Sequence, residues 1–307
     1  LTKNHRTRKE GRLLSVLSRA DYEVESFCEH FGSCGGCARQ TVAYDKQLAL
    51  KKDAVNELFS ANDIDFAFET ILGSPGIYEY RNKMEYSFGD AVKGGELNLG
   101  MHKKGRFYDV VSIPQCHLVD EDYRRIVTGI EAFCRQEGYG YFNRNSGQGL
   151  LRHLVVRKGY GTGEILVGIS TTSQPGFDEK AFVDVVLGLE LSGRLVGIVQ
   201  LVNDATGDAV KASANDKVLY GKSSYTEKLM DLTFEVSFFS FFQTNTRGAE
   251  VLYEKALELL TDLEGKVLYD LFSGTGTIGQ IAAPKVKAVY GIEIVEEAVA
   301  AAKENAA

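Results

Sequence analysis

Residues 266–279 read K-V-L-Y-D-L-F-S-G-T-G-T-I-G, and this stretch decides the fold class of the chain. The apolar segment 267–272 predicts a strand, and a helical pattern follows the glycines Gly274, Gly276 and Gly279. A strand, a glycine-rich loop and a helix in this order are typical of a nucleotide-binding unit of parallel strands. The glycines allow the loop to approach a ligand closely at the positive end of a helix.

A carboxylate follows this motif at a spacing that fits a contact with a ribose. The apolar stretch 288–292 predicts a second strand, and it ends at Glu293, about 20 residues after Gly274. A carboxylate at this point can accept hydrogen bonds from ribose hydroxyls. The residues alone leave three possibilities open: a nicotinamide site, a site for S-adenosylmethionine (SAM), and a glycine-rich turn that binds nothing.

Four of the five cysteines form a second pattern. Cys28, Cys34 and Cys37 lie in F-C-E-H-F-G-S-C-G-G-C, and Cys116 lies in I-P-Q-C-H. Thiolates around a glycine-rich turn suit a soft metal centre. The residues alone fit a [4Fe–4S] cluster, a structural zinc or a set of ordinary buried thiols. The fifth cysteine, Cys134, is predicted to be a thiol on the side of a helix.

Composition limits the class of protein. A chain of 307 residues with 44% hydrophobic content favours about two domains with buried cores. No run of 18 apolar residues predicts a membrane span, and the N-terminal stretch lacks the apolar segment of a signal peptide. Cysteines arranged as a ligand set favour a reducing compartment, and we expect a cytoplasmic protein. The net charge of −7 means that a polyanion must bind to local basic patches.

Three basic patches are present, each of which could equally be a solvated surface. Arg81 and Lys83 precede the alternating segment 84–88, which predicts a strand with one buried face. The run 102–106, H-K-K-G-R, predicts a basic hairpin turn. The N-terminal patch consists of Lys3, Arg6, Arg8, Lys9, Arg12 and Arg19.

The rest of the chain predicts mainly short strands with a few helices. The predicted strands are 150–157, 164–171, 194–202 and 217–220, and the predicted helices are 42–60, 124–136 and 246–260. The run F-F-S-F-F at 238–242 predicts an aromatic strand with two or three rings in the core.

Four motifs together resemble the RNA uracil-C5-methyltransferase family, in the iron–sulfur branch that methylates uridines of 23S ribosomal RNA. They are C-x5-C-G-G-C-x2-Q at the first cysteines, Y-R-N-K-M-E at 80–85, S-F-F-Q-T-N at 240–245, and D-L-F-S-G-T-G-T-I-G at 270–279. They occur in the expected order over nearly the whole chain. The resemblance implies SAM as the methyl donor, and it implies a [4Fe–4S] cluster with a structural role.

The resemblance assigns residues to these groups. It implies that Cys28, Cys34, Cys37 and Cys116 are the cluster ligands and that Arg81 and Lys83 contact RNA phosphates. The implied SAM-binding residues are Gln243, Phe272, Gly274, Gly276, Thr277 and Glu293. Asn245, two positions after Gln243, is a further candidate, because an amide at a strand end can recognise the methionine part of SAM or the edge of uracil.

The implied fold class combines α/β and α+β parts. Residues 1–20 are expected to be the tail of a TRAM/OB-like RNA-binding module, with 11–18 as its last strand. Residues 21–240 are expected to form a β-rich central domain that carries the cluster and binds RNA. Residues 241–307 are expected to start an incomplete Rossmann-like SAM-binding domain, on which the helix at 42–60 is predicted to pack.

The family's nucleophilic cysteine and general-base glutamate lie downstream of the motif at Glu293, whereas this sequence ends at Ala307 and has no cysteine after Cys134. We therefore expect a fragment without catalytic residues that does not turn over. The intact protein is expected to be a monomeric enzyme that methylates uracil C5 in 23S ribosomal RNA through a cysteine–C6 adduct. The alternatives are the same reaction on transfer RNA, a metal-stabilised RNA-binding module without catalysis, and, as a poor fit, a nicotinamide oxidoreductase.

Overall fold

The structure, a computed structural model, describes residues 3–4, 9–11, 14–66, 68–207 and 209–307. The chain divides into two compact units. The first comprises residues 1–27 and 38–71, and the second comprises residues 28–37 and 72–307.

The first unit contains one long helix and one short strand pair. Its elements are β1 (Lys3–Asn4), β2 (Lys9–Glu10), which pairs antiparallel with β1, and α1 (Tyr44–Ser60). The helix predicted at 42–60 is confirmed. The strand predicted at 11–18 is wrong for residues 14–18: they pair with no described strand, and Leu14 and Leu17 are exposed. Arg6, Arg8 and Arg12 lie outside the described residues.

The second unit is built on a seven-stranded sheet in the order β5-β4-β3-β6-β7-β8-β9. The strands are β3 (Lys83–Gly89), β4 (Asn98–His102), β5 (Val110–Ser112), β6 (Leu151–Lys158), β7 (Glu164–Thr171), β8 (Arg194–Val202) and β9 (Lys217–Gly221). Neighbours are antiparallel except β7 and β8, which are parallel. A parallel pair needs a crossover, and helix α3 (Glu179–Leu187) provides it.

Two helices cover the first face of this sheet. Helix α2 (Glu121–Gln136) starts earlier than predicted because Asp120 caps it, accepting a hydrogen bond from the Asp122 N–H at 3.0 Å. The apolar faces of α2 and α3 bury Ile130 and Phe182 against strand residues such as Tyr86. The thiol of Cys134 is fully buried in this core.

A hairpin and a helix cover the second face. They are β10 (Ser224–Leu229), β11 (Leu232–Ser237) and α4 (Thr246–Glu258). Their core residues include Tyr225 and Tyr253, which pack with sheet residues such as Leu166. The segment 238–242 is an irregular connection and not the predicted strand, although Phe238 and Phe242 are buried as expected.

The C-terminal part has the predicted strand–loop–helix–strand order. It consists of β12 (Val267–Leu271), α5 (Thr277–Ala282), a short 3₁₀ turn (Ala283–Lys285), β13 (Ala288–Ile292) and α6 (Glu296–Asn305). Strands β12 and β13 are parallel. Ile281 and Ala282 of α5 join the core on the second face of the large sheet. Within the described ranges, no helix has both the length and the apolar character that a membrane span requires.

Candidate functional site

The loop between β12 and α5 adopts backbone conformations that favour glycine. Gly274 has φ +55° and Gly276 has φ +75°. Phe272, just after β12, has φ +61°, which is unusual for a residue with a large side chain, and its side chain is 90% exposed. Such conformations concentrate at ligand-binding positions. A Cβ atom on Gly276 would lie only 3.2 Å from the Cβ of Ala302, so this position also lacks room for a side chain.

The third glycine of the motif allows α5 to pack closely on the parallel strands. A Cβ atom on Gly279 would lie 2.9 Å from Cγ1 of Val289 and 3.1 Å from Oδ2 of Asp270. The Gly279 N–H donates to Asp270 Oδ2 at 2.9 Å. Thr277 begins α5, and its Oγ1 lies 3.2 Å from Oγ1 of Thr275. The loop is therefore held from both sides, by β12 and by the first turn of the helix.

Glu293 binds the loop to the end of β13. Its Oε2 accepts the N–H of Gly274 at 2.9 Å, and its Oε1 accepts those of Ile294 at 2.8 Å and Val295 at 2.9 Å. The N–H donors of Val295, Gly274 and Ile294 lower the pKa of Glu293, so the carboxylate is ionised at neutral pH. Oε2 retains a lone pair for a further donor such as a ribose hydroxyl.

Gln243 is connected to the same region through Tyr253 of α4. The side-chain amide of Gln243 faces the Tyr253 hydroxyl. Burial raises the pKa of Tyr253, the Gln243 amide lowers it, and the negative charge of Asp270 in β12 raises it. Asn245 instead caps α4, because its Oδ1 accepts the Gly248 N–H at 2.8 Å. The side chain of Gln243 therefore faces Tyr253, whereas the side chain of Asn245 caps the start of α4.

The predicted RNA-contacting residues lie beside the segment that carries Gln243. The N–H of Asn82, between Arg81 and Lys83, donates to the carbonyl of Thr244 at 3.0 Å, and its Nδ2 donates to that of Gln243 at 2.8 Å. Arg81 and Lys83 are half-buried. Burial lowers the pKa of Lys83, and the nearby charge of Arg157 lowers it further. Two motifs that are far apart in the sequence therefore meet at one site.

The cysteine loop folds onto the β4–β5 hairpin. The Gly35 N–H donates to the carbonyl of His102 at 2.9 Å, and a Cβ on Gly35 would lie 2.8 Å from that oxygen. The Lys104 N–H donates to the Ser33 carbonyl at 2.8 Å. On the other side, Nε2 of His30 accepts the N–H of Gln115, the residue before Cys116, at 3.3 Å. These contacts place the cysteine loop beside the segment that carries Cys116.

The four thiols are near enough to affect one another. Burial raises the pKa of Cys116 to about 11, and the negative charges of Cys28, Cys37 and Cys34 add to the rise against a hydrogen bond from Leu118. Among the described residues, however, no group of three or more Cys, His, Asp or Glu side chains is placed closely enough to hold a metal ion. The four thiols lie in the same part of the fold and are the soft donors that an iron–sulfur cluster requires, but they are not placed closely enough to act as ligands of one metal ion.

Comparison with known proteins identifies the family. No model of a known protein family matches the chain. It is 43% identical over 307 residues to an uncharacterized RNA methyltransferase of Clostridium tetani, covering 100% of this chain and 67% of the relative. It is 44% identical to one of Clostridium acetobutylicum, covering 99% of this chain and 67% of the relative. The chain belongs to this family of RNA methyltransferases. It spans about two thirds of the length of these relatives.

A solved structure shares the fold of this RNA methyltransferase. It is the crystal structure of the Pyrococcus abyssi tRNA (uracil-54, C5)-methyltransferase in complex with S-adenosyl-L-homocysteine. The TM-score is 0.74 at 24% sequence identity, over 95% of this chain and 64% of the other. The chain therefore has a methyltransferase fold over nearly its whole length.

Two buried charged residues that support the segment carrying Gln243 were not predicted from the sequence. The first, Glu227 in β10, is fully buried. It accepts hydrogen bonds from the Tyr160 N–H at 2.8 Å, the Gly161 N–H at 2.9 Å and the Thr246 hydroxyl at 2.9 Å. Burial raises its pKa against these donors. Thr246 in turn accepts from Nδ2 of Asn82 at 2.9 Å, so Glu227 anchors the start of α4 beside Gln243.

The second residue, Arg157 in β6, is only 1% exposed. Its guanidinium donates to the carbonyls of Ser237 at 2.8 Å, Phe238 at 2.6 Å and Ser240 at 2.8 Å, and lies 5.4 Å from the ring centroid of Tyr225. It therefore fixes the irregular segment that leads to Gln243. In the sequence, Arg157 simply follows the apolar run at 154–156 near the end of β6, which does not distinguish it from an exposed strand end.

Proposed function

We propose that the intact protein transfers the methyl group of SAM to C5 of a uracil in RNA, with 23S ribosomal RNA as the substrate. The observation that supports the proposal is a contact between two of the predicted motifs. Asn82, between the basic residues Arg81 and Lys83, is hydrogen-bonded to the segment that carries Gln243. The Gln243 amide also faces Tyr253, whose pKa is raised by burial and by Asp270 in β12, the strand that leads to the glycine loop. Membership of an RNA methyltransferase family supports the proposal, and so does the fold shared with a uracil-C5-methyltransferase.

SAM would bind along the C-terminal edge of β12 and β13. In the loop at 272–277, Gly274 and Gly276 have left-handed conformations and lack Cβ atoms, which would allow a ligand to approach the backbone closely. The ionised Glu293 would accept the ribose hydroxyls through its remaining lone pair. Gln243 would bind the methionine amine or carboxylate, because an amide both donates and accepts.

RNA would be held by phosphate contacts to Arg81 and Lys83, which position the strand without reading its sequence. The target base would be flipped out of its stack, at a cost of a few kcal/mol. Because Asn82 links this pair to the Gln243 segment, the flipped base would arrive next to the methyl donor. A half-buried lysine is suited to this role, because few waters need to be displaced when a phosphate binds.

The chemistry needs a nucleophile, since uracil C5 reacts poorly. A thiolate would add at C6 and make C5 enolate-like, and C5 would take the methyl group of SAM with S-adenosyl-L-homocysteine as the leaving group. A base would then remove the C5 proton as the C6–sulfur bond breaks and the thiolate is expelled. We propose that the nucleophilic cysteine and the base glutamate lie outside the 307 residues. The greater length of the relatives supports this. Cys134 is unsuited as the nucleophile, because burial raises its pKa to about 12. We therefore expect the 307-residue chain to bind SAM and not to turn over.

The four cysteines would hold a [4Fe–4S] cluster. Cys28, Cys34, Cys37 and Cys116 are soft ligands of the right number, and the loop already lies against the hairpin next to Cys116. When bound, the cluster would supply a cross-link between the two segments, and no step of methyl transfer passes through it.

Iron and sulfide analysis after anaerobic purification tests the cluster. About four irons and four sulfides per chain are expected. Cys34→Ser should abolish the iron, whereas the control Cys134→Ser, at the buried thiol of α2, should retain it. One zinc without sulfide would overturn the cluster while leaving the methyltransferase fold intact.

Calorimetric titration of the purified 307-residue protein tests the cofactor. SAM is expected to bind and NADH is not. Binding of NADH in place of SAM would overturn the proposal. Failure of both, with RNA still bound, would instead favour an RNA-binding module without catalysis.

A second candidate is the same reaction on transfer RNA. The observation that favours it is the fold shared with the tRNA (uracil-54, C5)-methyltransferase of Pyrococcus abyssi. Competition between a 23S ribosomal RNA fragment and transfer RNA for the protein separates the two substrates. Stronger competition by transfer RNA would favour this candidate.

A further inference from the structure

A cavity of about 370 Å³ opens over strands β3, β4 and β6. These strands contribute Ser87, His102 and His153 to its lining. The Ser87 hydroxyl lies 3.4 Å from Nε2 of His102 and 3.5 Å from Nδ1 of His153. The cavity has the volume of a small-molecule site, and polar groups converge at its base.

Aromatic rings form the walls of this cavity. The turn between β4 and β5 contributes Phe107 and Tyr108, which are 55% and 74% exposed. The ring of Phe107 lies parallel to that of His102 at 5.2 Å, and Tyr108 meets Phe107 edge-on at 5.4 Å. Phe142 lines the cavity as well. Exposed rings around a concave site are typical of surfaces on which nucleobases stack.

Cationic side chains accompany the rings. The guanidinium of Arg144 lies 4.9 Å from the Phe107 ring centroid. That of Arg152 lies 4.5 Å from the Phe142 centroid, but it is buried. It donates to the carbonyls of Asn203 at 3.0 Å and Ala205 at 2.6 Å, so it supports the cavity wall. The two acids of the lining have neighbours of their own: Asp90 accepts the Gly94 N–H at 2.8 Å, and Asp109 lies 3.7 Å from Arg106. Rings for a base and the cationic Arg144 for a phosphate together match the chemistry of a nucleotide.

The cavity lies along the same strand face as the basic pair of the proposed site. Side chains alternate in β3, so Lys83 and Ser87 point to the same face, about 13 Å apart. The pairing register of β3 with β6 gives the same spacing, since Lys83 is opposite Arg157 and Ser87 is opposite His153. An RNA strand whose phosphate binds Lys83 therefore reaches the cavity within a few nucleotides.

We propose that this cavity binds an unpaired nucleotide of the RNA substrate, stacked on Phe107 and Tyr108, a few nucleotides from the base that receives the methyl group. The proposal rests on RNA being the substrate, as in the proposed function. The site is a binding subsite, and no bond is made or broken in it. It would hold the substrate strand in an unstacked conformation on the protein.

Photo-crosslinking with a single-stranded RNA hexamer that contains 5-iodouridine tests the subsite on the 307-residue protein. Crosslinks are expected at Phe107, Tyr108 or Phe142 by mass spectrometry. Tyr108→Ala should weaken hexamer binding about tenfold, the effect of losing one stacked base. Phe107→Leu, which keeps an apolar side chain without a ring, should weaken it as well. The matched control is Tyr220→Ala, in β9 at the opposite edge of the sheet, which should bind the hexamer like the wild type.

Three results would overturn the proposed subsite. The first is wild-type affinity for the hexamer in both Phe107→Leu and Tyr108→Ala, and the second is failure of the wild-type protein to bind the hexamer. The third is binding of uridine monophosphate that the hexamer does not displace, because this would indicate a site for free nucleotides. SAM titration of the same samples keeps the two proposals apart. SAM binding without hexamer crosslinks in the cavity removes the subsite alone, whereas loss of SAM binding removes the methyl-transfer proposal.

Discussion

Two regions of the second unit differ in where their polar and aromatic side chains lie: one buries its charged groups, and the other exposes its aromatic rings. Between the large sheet and the β10–β11 hairpin, Arg157 and Glu227 are buried and hydrogen-bonded on several sides. Around β12 and β13, Tyr269 and Tyr290 are stacked on each other yet more than half exposed. There the polar contacts come from Glu293 and from the loop backbone.

The difference indicates a division of labour. The buried network fixes the backbone from Ser237 to Thr246, and so fixes where Gln243 stands. The glycine loop carries the ligand contacts through conformations that only a few residue types adopt. Variants in the buried network should therefore change mainly global stability, whereas variants in the loop should change ligand binding, with a smaller loss of stability.

The largest expected effect is in the buried network. Glu227→Gln replaces one acceptor oxygen by an amide NH₂ that faces N–H and O–H donors, so several charge-assisted hydrogen bonds are lost. We expect the free energy of unfolding to fall by about 2–4 kcal/mol, measured by urea denaturation. Glu258→Gln, on the exposed side of α4, is the control and should change stability by less than about 0.5 kcal/mol. Equal stability of the two variants would contradict the assigned role of Glu227.

Arg157→Lys should have the next largest effect. A lysine has no planar fork and cannot reach the carbonyls of Ser237, Phe238 and Ser240 together. We expect a loss of about 1.5–3 kcal/mol in the free energy of unfolding. Arg194→Lys, at a largely exposed arginine that pairs with Glu164, is the control and should lose little. If Arg157→Lys kept wild-type stability, Arg157 would not be what holds this segment.

The glycine loop should respond to Gly276→Ala mainly through SAM binding. A left-handed alanine costs about 1–2 kcal/mol, and its Cβ would crowd Ala302. We expect SAM affinity to fall about tenfold, with a loss of about 1–2 kcal/mol in the free energy of unfolding from the backbone strain. Gly265→Ala is the matched control, because Gly265 also has a positive φ, +72°, but has open space around it and precedes β12. A fall in global stability without a change in SAM affinity would reverse the comparison.

The smallest expected effect concerns the pH dependence of SAM binding. The pKa of Glu293 is lowered by backbone donors, so its contribution is fully present above its ordinary value of ~4.3 and is lost only as the pH falls through the lowered value. The ratio of the SAM dissociation constants of Glu293→Gln and wild type should therefore stay constant from pH 8 to pH 5. A difference that shrinks between pH 7 and pH 5 would contradict this role.

The parts that could be predicted from the sequence are those encoded locally. The glycine spacing predicted a tight loop, and Gly274 and Gly276 have the positive φ angles that such a loop uses. The strands at 164–171, 194–202 and 288–292 were predicted from their apolar runs. Helix α3 was not predicted, although two local signals were present: Asp178, which accepts the Ala181 N–H, and Gly188 at the end.

The buried network could not be predicted, because its partners are far apart in the sequence. Glu227 is bonded to residues 66 and 67 positions away, and Arg157 to carbonyls 80 to 83 positions away. Only the fold brings these groups together. The strand expected at 11–18 was carried over from the family resemblance, and it was wrong for residues 14–18, which pair with no described strand.

The proposed function is tested by disrupting the gene that encodes this chain and mapping 5-methyluridine in 23S ribosomal RNA and in transfer RNA by nucleoside mass spectrometry. We expect one 5-methyluridine to disappear from 23S ribosomal RNA and to return when the wild-type gene is supplied, but not when Gly276→Val is supplied. An unchanged set of 5-methyluridines in both RNA pools would contradict the proposed function.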